Sequence, residues 1–234
     1  MPLPKIDQPL FVLTIPSTKQ EVKYRPFTVK EEKILLIARE SGELDQVLLA
    51  IQQVVQNCIQ DEIDVEKLAT FDLEYIILNI RGKAVNDELE FEVNDPEEDG
   101  KKIKLNFNIN DIEIARINDH ETKLDLNDEY FLFMRYPTIA ELTLITKGSS
   151  ATSFDIMTSC IDKLVTKDGE GIYKMTDFTV EEVNDFVEGL SSTAINKIQN
   201  FFTTLPALRM ECPYVNSNGE NKKFVIEGMQ TFFM

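Results

Sequence analysis

The sequence predicts an α+β protein, made of mainly helical lobes with an N-terminal β-hairpin, a central antiparallel β element and a C-terminal β-hairpin. Three observations carry that prediction. Apolar residues recur at three- and four-residue steps through 44–60 and again from Thr70 to Ile80, the period of an α-helix. The period switches to two over 89–94 and 103–109, as in strands with one buried face. Turn-forming residues then close a hairpin at each end, Pro16-Ser17-Thr18-Lys19 near the start and Asn216-Ser217-Asn218-Gly219 near the finish. The predicted division is 1–85 for the N-terminal hairpin plus helical lobe, 86–136 for the central β element, and 137–234 for a C-terminal helical lobe ending in a hairpin.

Leu10 to Ile15 is a short apolar run, and Glu21 to Arg25 alternates. Together they predict the hairpin that delivers the chain into the first helix. That helix is strongly specified. Thr28 and Glu31 have capping-box spacing, so hydroxyl and carboxylate can each satisfy an orphan N–H. Pro26 blocks backward extension, and Gly42 is a natural stop. Ile34, Leu35, Ile37 and Ala38 are read as its buried face, with Leu36 partly outside and Phe27 stapled onto the first turns. A second helix covers 44–60, Val65 to Ala69 forms a helical turn, and a third helix opens at Thr70 with Leu73, Ile76, Ile77 and Ile80 inward.

Leu89, Phe91 and Val93 alternate with acids and Asn94, and Ile103, Leu105, Phe107 and Ile109 alternate with polar residues. These are the arms of a hairpin. Ile112 to Ile117 suggests a further pass, and 123–126 and 130–134 two more strands. Ile139 to Ile145 reads as a helix, and Phe154 to Val165 as another, since Ile156, Met157, Cys160, Ile161 and Leu164 share a helical face. Ile172-Tyr173 is extended. Thr179 and Glu182 form a second capping box, a last helix runs from Ser192 towards Pro206, and strands follow at 208–212 and 223–226. No internal repeat or low-complexity tract is evident.

Charge restricts the function classes. The chain has 41 acidic and 24 basic residues, a formal net charge of −17 and a pI near 4.5. Such a surface repels phosphate backbones and favours basic protein partners, so no nucleic-acid partner is expected. No apolar stretch is long enough to span a bilayer, and the N-terminus lacks the pattern of a signal peptide. Cys58, Cys160 and Cys212 are dispersed and odd in number, which suits a reducing compartment rather than a disulfide framework.

Catalytic candidates are few. His120 is the only histidine and stands in a polar turn, where a solvated role is expected rather than a nucleophile triad. One histidine and scattered cysteines do not make a zinc site. There is no P-loop and no dinucleotide fingerprint. Asp95, Glu97, Asp99 and Gly100 imitate the start of a Ca²⁺ loop, but Asn106 occupies the final ligand position. A hairpin turn is the reading preferred there. An acidic Ca²⁺-dependent binding module or hydrolase using Asp95–Asp99 is the alternative. No catalytic residue, cofactor or metal is therefore assigned. The apolar terminus Phe232-Phe233 is a candidate for packing or for a partner surface.

Tyr24-Arg25-Pro26-Phe27-Thr28, with Lys30, Glu31, Glu32, Lys33 and Leu35, resembles the start of the baseplate hub assembly proteins of T-even-type contractile-tailed phages. Phe71-Asp72-Leu73-Glu74-Tyr75 and the C-terminal order Phe201-Phe202, Leu205-Pro206, Cys212, Ile226-Glu227-Gly228-Met229, Phe232-Phe233 are similar to the same family. Some members carry a second cysteine, suggesting a metal knuckle. Here Val215 stands where it would close. The resemblance implies a non-enzymatic protein that builds the central hub of the tail baseplate. It would act as a hub component of the virion, or as an assembly factor or chaperone in the host cytoplasm that holds other hub proteins or the tape-measure protein. Arg25 and Phe27, with Phe232 and Phe233, are the candidate partner-binding residues.

Overall fold

In a computed structural model the structure describes residues 7–84, 88–95, 100–108, 113–115, 120–146, 152–216 and 219–227. The chain order begins with β1 (Phe11–Thr14), β2 (Glu21–Tyr24), α1 (Val29–Ser41) and α2 (Leu44–Cys58). A 3₁₀ turn at Val65–Lys67 leads to α3 (Thr70–Ala84), then β3 (Glu88–Asn94), β4 (Lys102–Asn108) and β5 (Glu113–Ala115). Next come β6 (Lys123–Asp125), β7 (Tyr130–Met134), α4 (Ile139–Thr146), α5 (Ser153–Ser159), β8 (Ile161–Thr166) and β9 (Ile172–Lys174). A second 3₁₀ turn, Met175–Asp177, precedes α6 (Val180–Glu188), α7 (Ser192–Thr203), β10 (Ala207–Val215) and β11 (Asn221–Glu227). The α+β class read from the sequence is the one observed.

The chain forms two compact units. One holds residues 1–115 and 207–234; the other holds 116–206. The stretch 86–136, expected to be one β element, sends its strands to three sheets. Among the described residues β3 pairs only with β4, β5 joins β10 and β11, and β6 and β7 belong with β8 and β9. Sheet membership depends on which buried faces meet, and alternation within a strand does not encode its neighbour.

In the first unit α3 is the central element. Phe71, Leu73, Ile76, Ile77, Leu78 and Ile80 are all buried, so it is apolar on more than one side, as a helix packed from several directions must be. Ile51, Val54 and Val55 of α2 are fully buried. Leu78 joins Leu105 of β4 and Leu208, Met210, Cys212 and Tyr214 of β10 in one cluster. β10 alternates buried and exposed residues along its whole length, which places those four inward.

Asp72 ties the first hairpin to this helix. It is fully buried. The Ser17 N–H donates to its Oδ1 at 2.9 Å, and the Ser17 hydroxyl donates to Oδ2. Burial pushes its carboxyl up, against the Ser17 donors that stabilise the anion. Asp72→Ala removes both acceptors from the hairpin turn and is expected to cost ~1–3 kcal/mol in a urea titration. A change within error would mean that the hairpin is held by other contacts.

The second unit is a four-stranded antiparallel sheet in the order β6-β7-β8-β9 with helices. Leu124, Leu132, Leu164, Cys160, Ile161, Val187, Ile198 and Phe201 share its core. The helix expected over 154–165 stops at Ser159, and Ile161–Thr166 is a strand paired with β7 and β9. The difference has a physical cause. A register shift at Phe133/Met134 lets Ile161 and Leu164, three residues apart, both face inward, which imitates a helical step. Thr179 caps α6 as expected: its N–H donates to Glu182 Oε2 at 2.8 Å, and its hydroxyl accepts from the Glu182 N–H. Thr179→Ala is expected to lower stability by ~1 kcal/mol, read as a shifted urea midpoint.

Candidate functional site

The first candidate residues lie where β2 turns into α1. Arg25 leaves the strand with its N–H donating to the Cys58 carbonyl at the end of α2, 3.0 Å. Its guanidinium donates to the Pro26 carbonyl at 3.0 Å, the Asn57 carbonyl at 3.1 Å and Glu31 Oε1 at 3.0 Å. Glu31 Oε2 accepts from the Thr28 N–H at 2.8 Å and the Thr28 hydroxyl at 2.5 Å. Glu31 is therefore more than half of a capping box. Its carboxylate, on a residue only 2% exposed, joins the helix start to Arg25 at the strand end, and Arg25 in turn reaches the following helix. Burial pushes that carboxyl up, but the Arg25 guanidinium and then Thr28 outweigh it and hold the pKa at about 2. A carboxylate so acidic cannot exchange a proton near neutrality, so this cluster serves as a structural lock. Phe27 beside it is half-buried.

The same lock recurs in the second unit. Arg135 follows β7, and its N–H donates to the Cys160 carbonyl at the end of α5, 2.8 Å. Its guanidinium donates to the Tyr136 carbonyl and to both oxygens of Glu141. Glu141 Oε2 accepts from the Thr138 N–H at 2.7 Å and the Thr138 hydroxyl at 3.0 Å. Burial pushes Glu141 up while Arg135 and Thr138 bring it below the usual carboxylate range. The succeeding elements correspond too. Ile59 bridges back to Tyr24, and Ile161 pairs with Met134. A 3₁₀ turn then precedes a helix in each case, Val65–Lys67 before α3 and Met175–Asp177 before α6. The chain therefore contains a repeated arrangement, although no internal repeat is evident in its sequence at first sight. The signal is Arg-x-x-Thr-x-x-Glu at 25–31 and 135–141, with Cys-Ile at 58–59 and 160–161.

The remaining candidates divide clearly. His120 is half-buried, 5.1 Å from the Phe201 ring and 5.7 Å from Tyr136, with Nδ1 3.0 Å from the Thr204 hydroxyl. It packs an aromatic cluster, where the sequence suggested a solvated turn. All three cysteines are free and buried, and burial pushes Cys58 to about 11, Cys160 to about 12 and Cys212 upward. Such thiols stay protonated and inert. Asp95 is buried, and its N–H closes the β3–β4 hairpin on the Lys101 carbonyl at 2.8 Å. Residues 96–99 of the Ca²⁺-like loop lie outside the described residues, as do Phe232 and Phe233. Among the described residues no group of three or more His, Cys, Asp or Glu side chains is placed to hold a metal ion. Among them, too, no helix is long and apolar enough to cross a membrane.

Exposed apolar residues are the feature left unexplained by the fold. Ile37, expected to be buried, is 70% exposed, and with Val29 and Leu36 it makes a stripe at helical spacing along α1. The inward face of α1 is narrow, with Ala38 and Glu31 buried. In the second unit a groove of about 300 Å³ runs between α5, β8, the Met175 turn and α6. Ile161, Phe178, Val180 and Val183 line it with Asp155 and Asp162.

Two buried polar clusters that lock strand to helix, at Glu31 and at Glu141, and an exposed apolar stripe on α1 mark this α+β protein. A model of the family described as T4 bacteriophage base plate protein matches residues 8–234. The chain belongs to that family and is a phage baseplate protein. No curated protein and no solved structure matches it.

Proposed function

We propose that this chain acts without catalysis in building the central hub of the tail baseplate. It is either a hub component of the virion or an assembly factor that acts as a chaperone in the host cytoplasm. Its partners on this reading are other hub proteins or the tape-measure protein. The observation that carries the proposal is the family match, which spans nearly the whole chain. Two further features support it. The stripe of Val29, Leu36 and Ile37 is apolar surface of the kind that partners cover. The polar clusters built by Glu31 and Glu141 are occupied with holding strand to helix. Arg25 contributes to partner binding by setting the strand–helix corner, while Phe27, Phe232 and Phe233 are proposed to touch the partner directly. Co-expression with each hub and tape-measure protein, followed by affinity capture, tests the reading. A stable complex is expected, and Ile37→Asp is expected to abolish it. Failure of every partner to co-purify would overturn the proposal. Mass spectrometry of purified particles then distinguishes a resident component from a factor that leaves.

A further inference from the structure

The β6–β9 sheet has an outer face opposite in sign to the molecule. Register places Lys123, Phe133, Lys163 and Lys174 in one cross-strand row, and Asp125, Phe131, Val165 and Ile172 in another. The row between them is Leu124, Leu132, Leu164 and Tyr173; its three leucines face the core, so strand alternation turns the two flanking rows outward, while all three residues of the edge strand β9 are exposed. Lys123 Nζ lies 3.8 Å from the centre of the Phe131 ring, and Lys167 lies 5.0 Å from it. Lys163 Nζ is 5.0 Å from the Phe133 ring. Ile172 is 61% exposed. Lys163 and Lys174 stand directly opposite one another, and Asp162, 3.8 Å from Lys163, offsets part of the repulsion between these like charges.

We propose that this face docks an acidic segment of a partner polypeptide that also carries apolar side chains. Its carboxylates meet Lys123, Lys163 and Lys174, and its apolar residues cover Phe131, Phe133 and Ile172. Charge complementarity selects that occupant. In a chain with 41 acidic residues against 24 basic ones, a cluster of lysines around two phenylalanines runs against the overall charge. The Lys123 and Lys163 ammonium groups already lie near ring faces, where an added carboxylate gains from both charge and reduced hydration. A polypeptide fits better than a nucleic acid. Asp125 stands within the face, paired with Lys167 at 3.0 Å, and Asp162 lies beside Lys163, so a continuous phosphate track would meet carboxylates. This inference rests on the sheet surface alone and does not depend on the hub reading.

The test is fluorescence anisotropy of the full chain with three labelled probes: a short peptide alternating glutamate and leucine, one alternating lysine and leucine, and oligothymidylate. The glutamate–leucine peptide is expected to bind, more weakly as salt rises. Lys163→Glu with Lys174→Glu is expected to weaken it by about tenfold or more. Ile172→Asp, at an exposed position, is expected to do the same and supplies the answer if circular dichroism shows that the lysine variant unfolds. No binding of the glutamate–leucine peptide overturns the proposal, as does binding undiminished in the folded variants. Tighter binding of the lysine–leucine peptide also overturns it, and tighter binding of oligothymidylate replaces it with a nucleic-acid face.

Discussion

Glu31→Ala is expected to lower the free energy of unfolding by ~3 kcal/mol at pH 7, measured by urea titration, because removing one partner of a buried pair leaves the other charge uncompensated. The Arg25 guanidinium would keep the Pro26 and Asn57 carbonyls but lose its carboxylate, and the Thr28 N–H would lose its acceptor. The same residue imposes a pH dependence. Its ordinary pKa of 4.5 drops to about 2 in the folded protein. The stabilisation from ionised Glu31 is therefore complete above pH ~4.5 and is lost as pH falls towards 2, an amount on the order of 3 kcal/mol. Wild-type stability should fall more steeply than that of Glu31→Ala over this window. Parallel profiles would show that the lock contributes nothing. Glu141→Ala should cost less, since the Arg135 side chain is 39% exposed against 21% for Arg25, and solvent screens the second pair more.

Phe201→Ala is expected to cost ~3–5 kcal/mol, the range for emptying a buried aromatic site. Phe201 is 1% exposed and lies between His120, Tyr136 and Phe202, with ring centres 5.1, 6.1 and 5.2 Å away. Its loss opens a void in the core of the second unit and removes the face against which the only histidine packs. Phe202→Ala, at a half-buried position, should cost clearly less. Thermal unfolding followed by tyrosine fluorescence checks the order of the two. Equal losses would mean that the cluster relaxes around the cavity.

Local signals in the chain are strong where one residue type does one job. The Thr28–Glu31 and Thr179–Glu182 capping boxes, the αL stop at Gly42 with φ 71° and the alternating arms of the β3–β4 hairpin all stand at their predicted places. Each rests on contacts within a few residues. The candidate site is legible only in part. Arg25 stands out in the sequence, yet its partners at Asn57 and Cys58 come from the far end of α2. Arg135, Thr138 and Glu141 do not stand out, because the proline and aromatic exchange places between the two copies, Pro26-Phe27 against Tyr136-Pro137. The lysine–phenylalanine face is not legible at all, because it exists only once four strands lie in register.

The amino-acid order alone determined the α+β class, the helix starts, the acidic character and the family, since propensity, capping and charge are properties of short stretches. Tertiary structure decided which strands share a sheet, that Ile161–Thr166 is a strand, and that Ile37 faces outward. Those outcomes turn on which apolar faces can be buried together, and residues distant along the chain settle that.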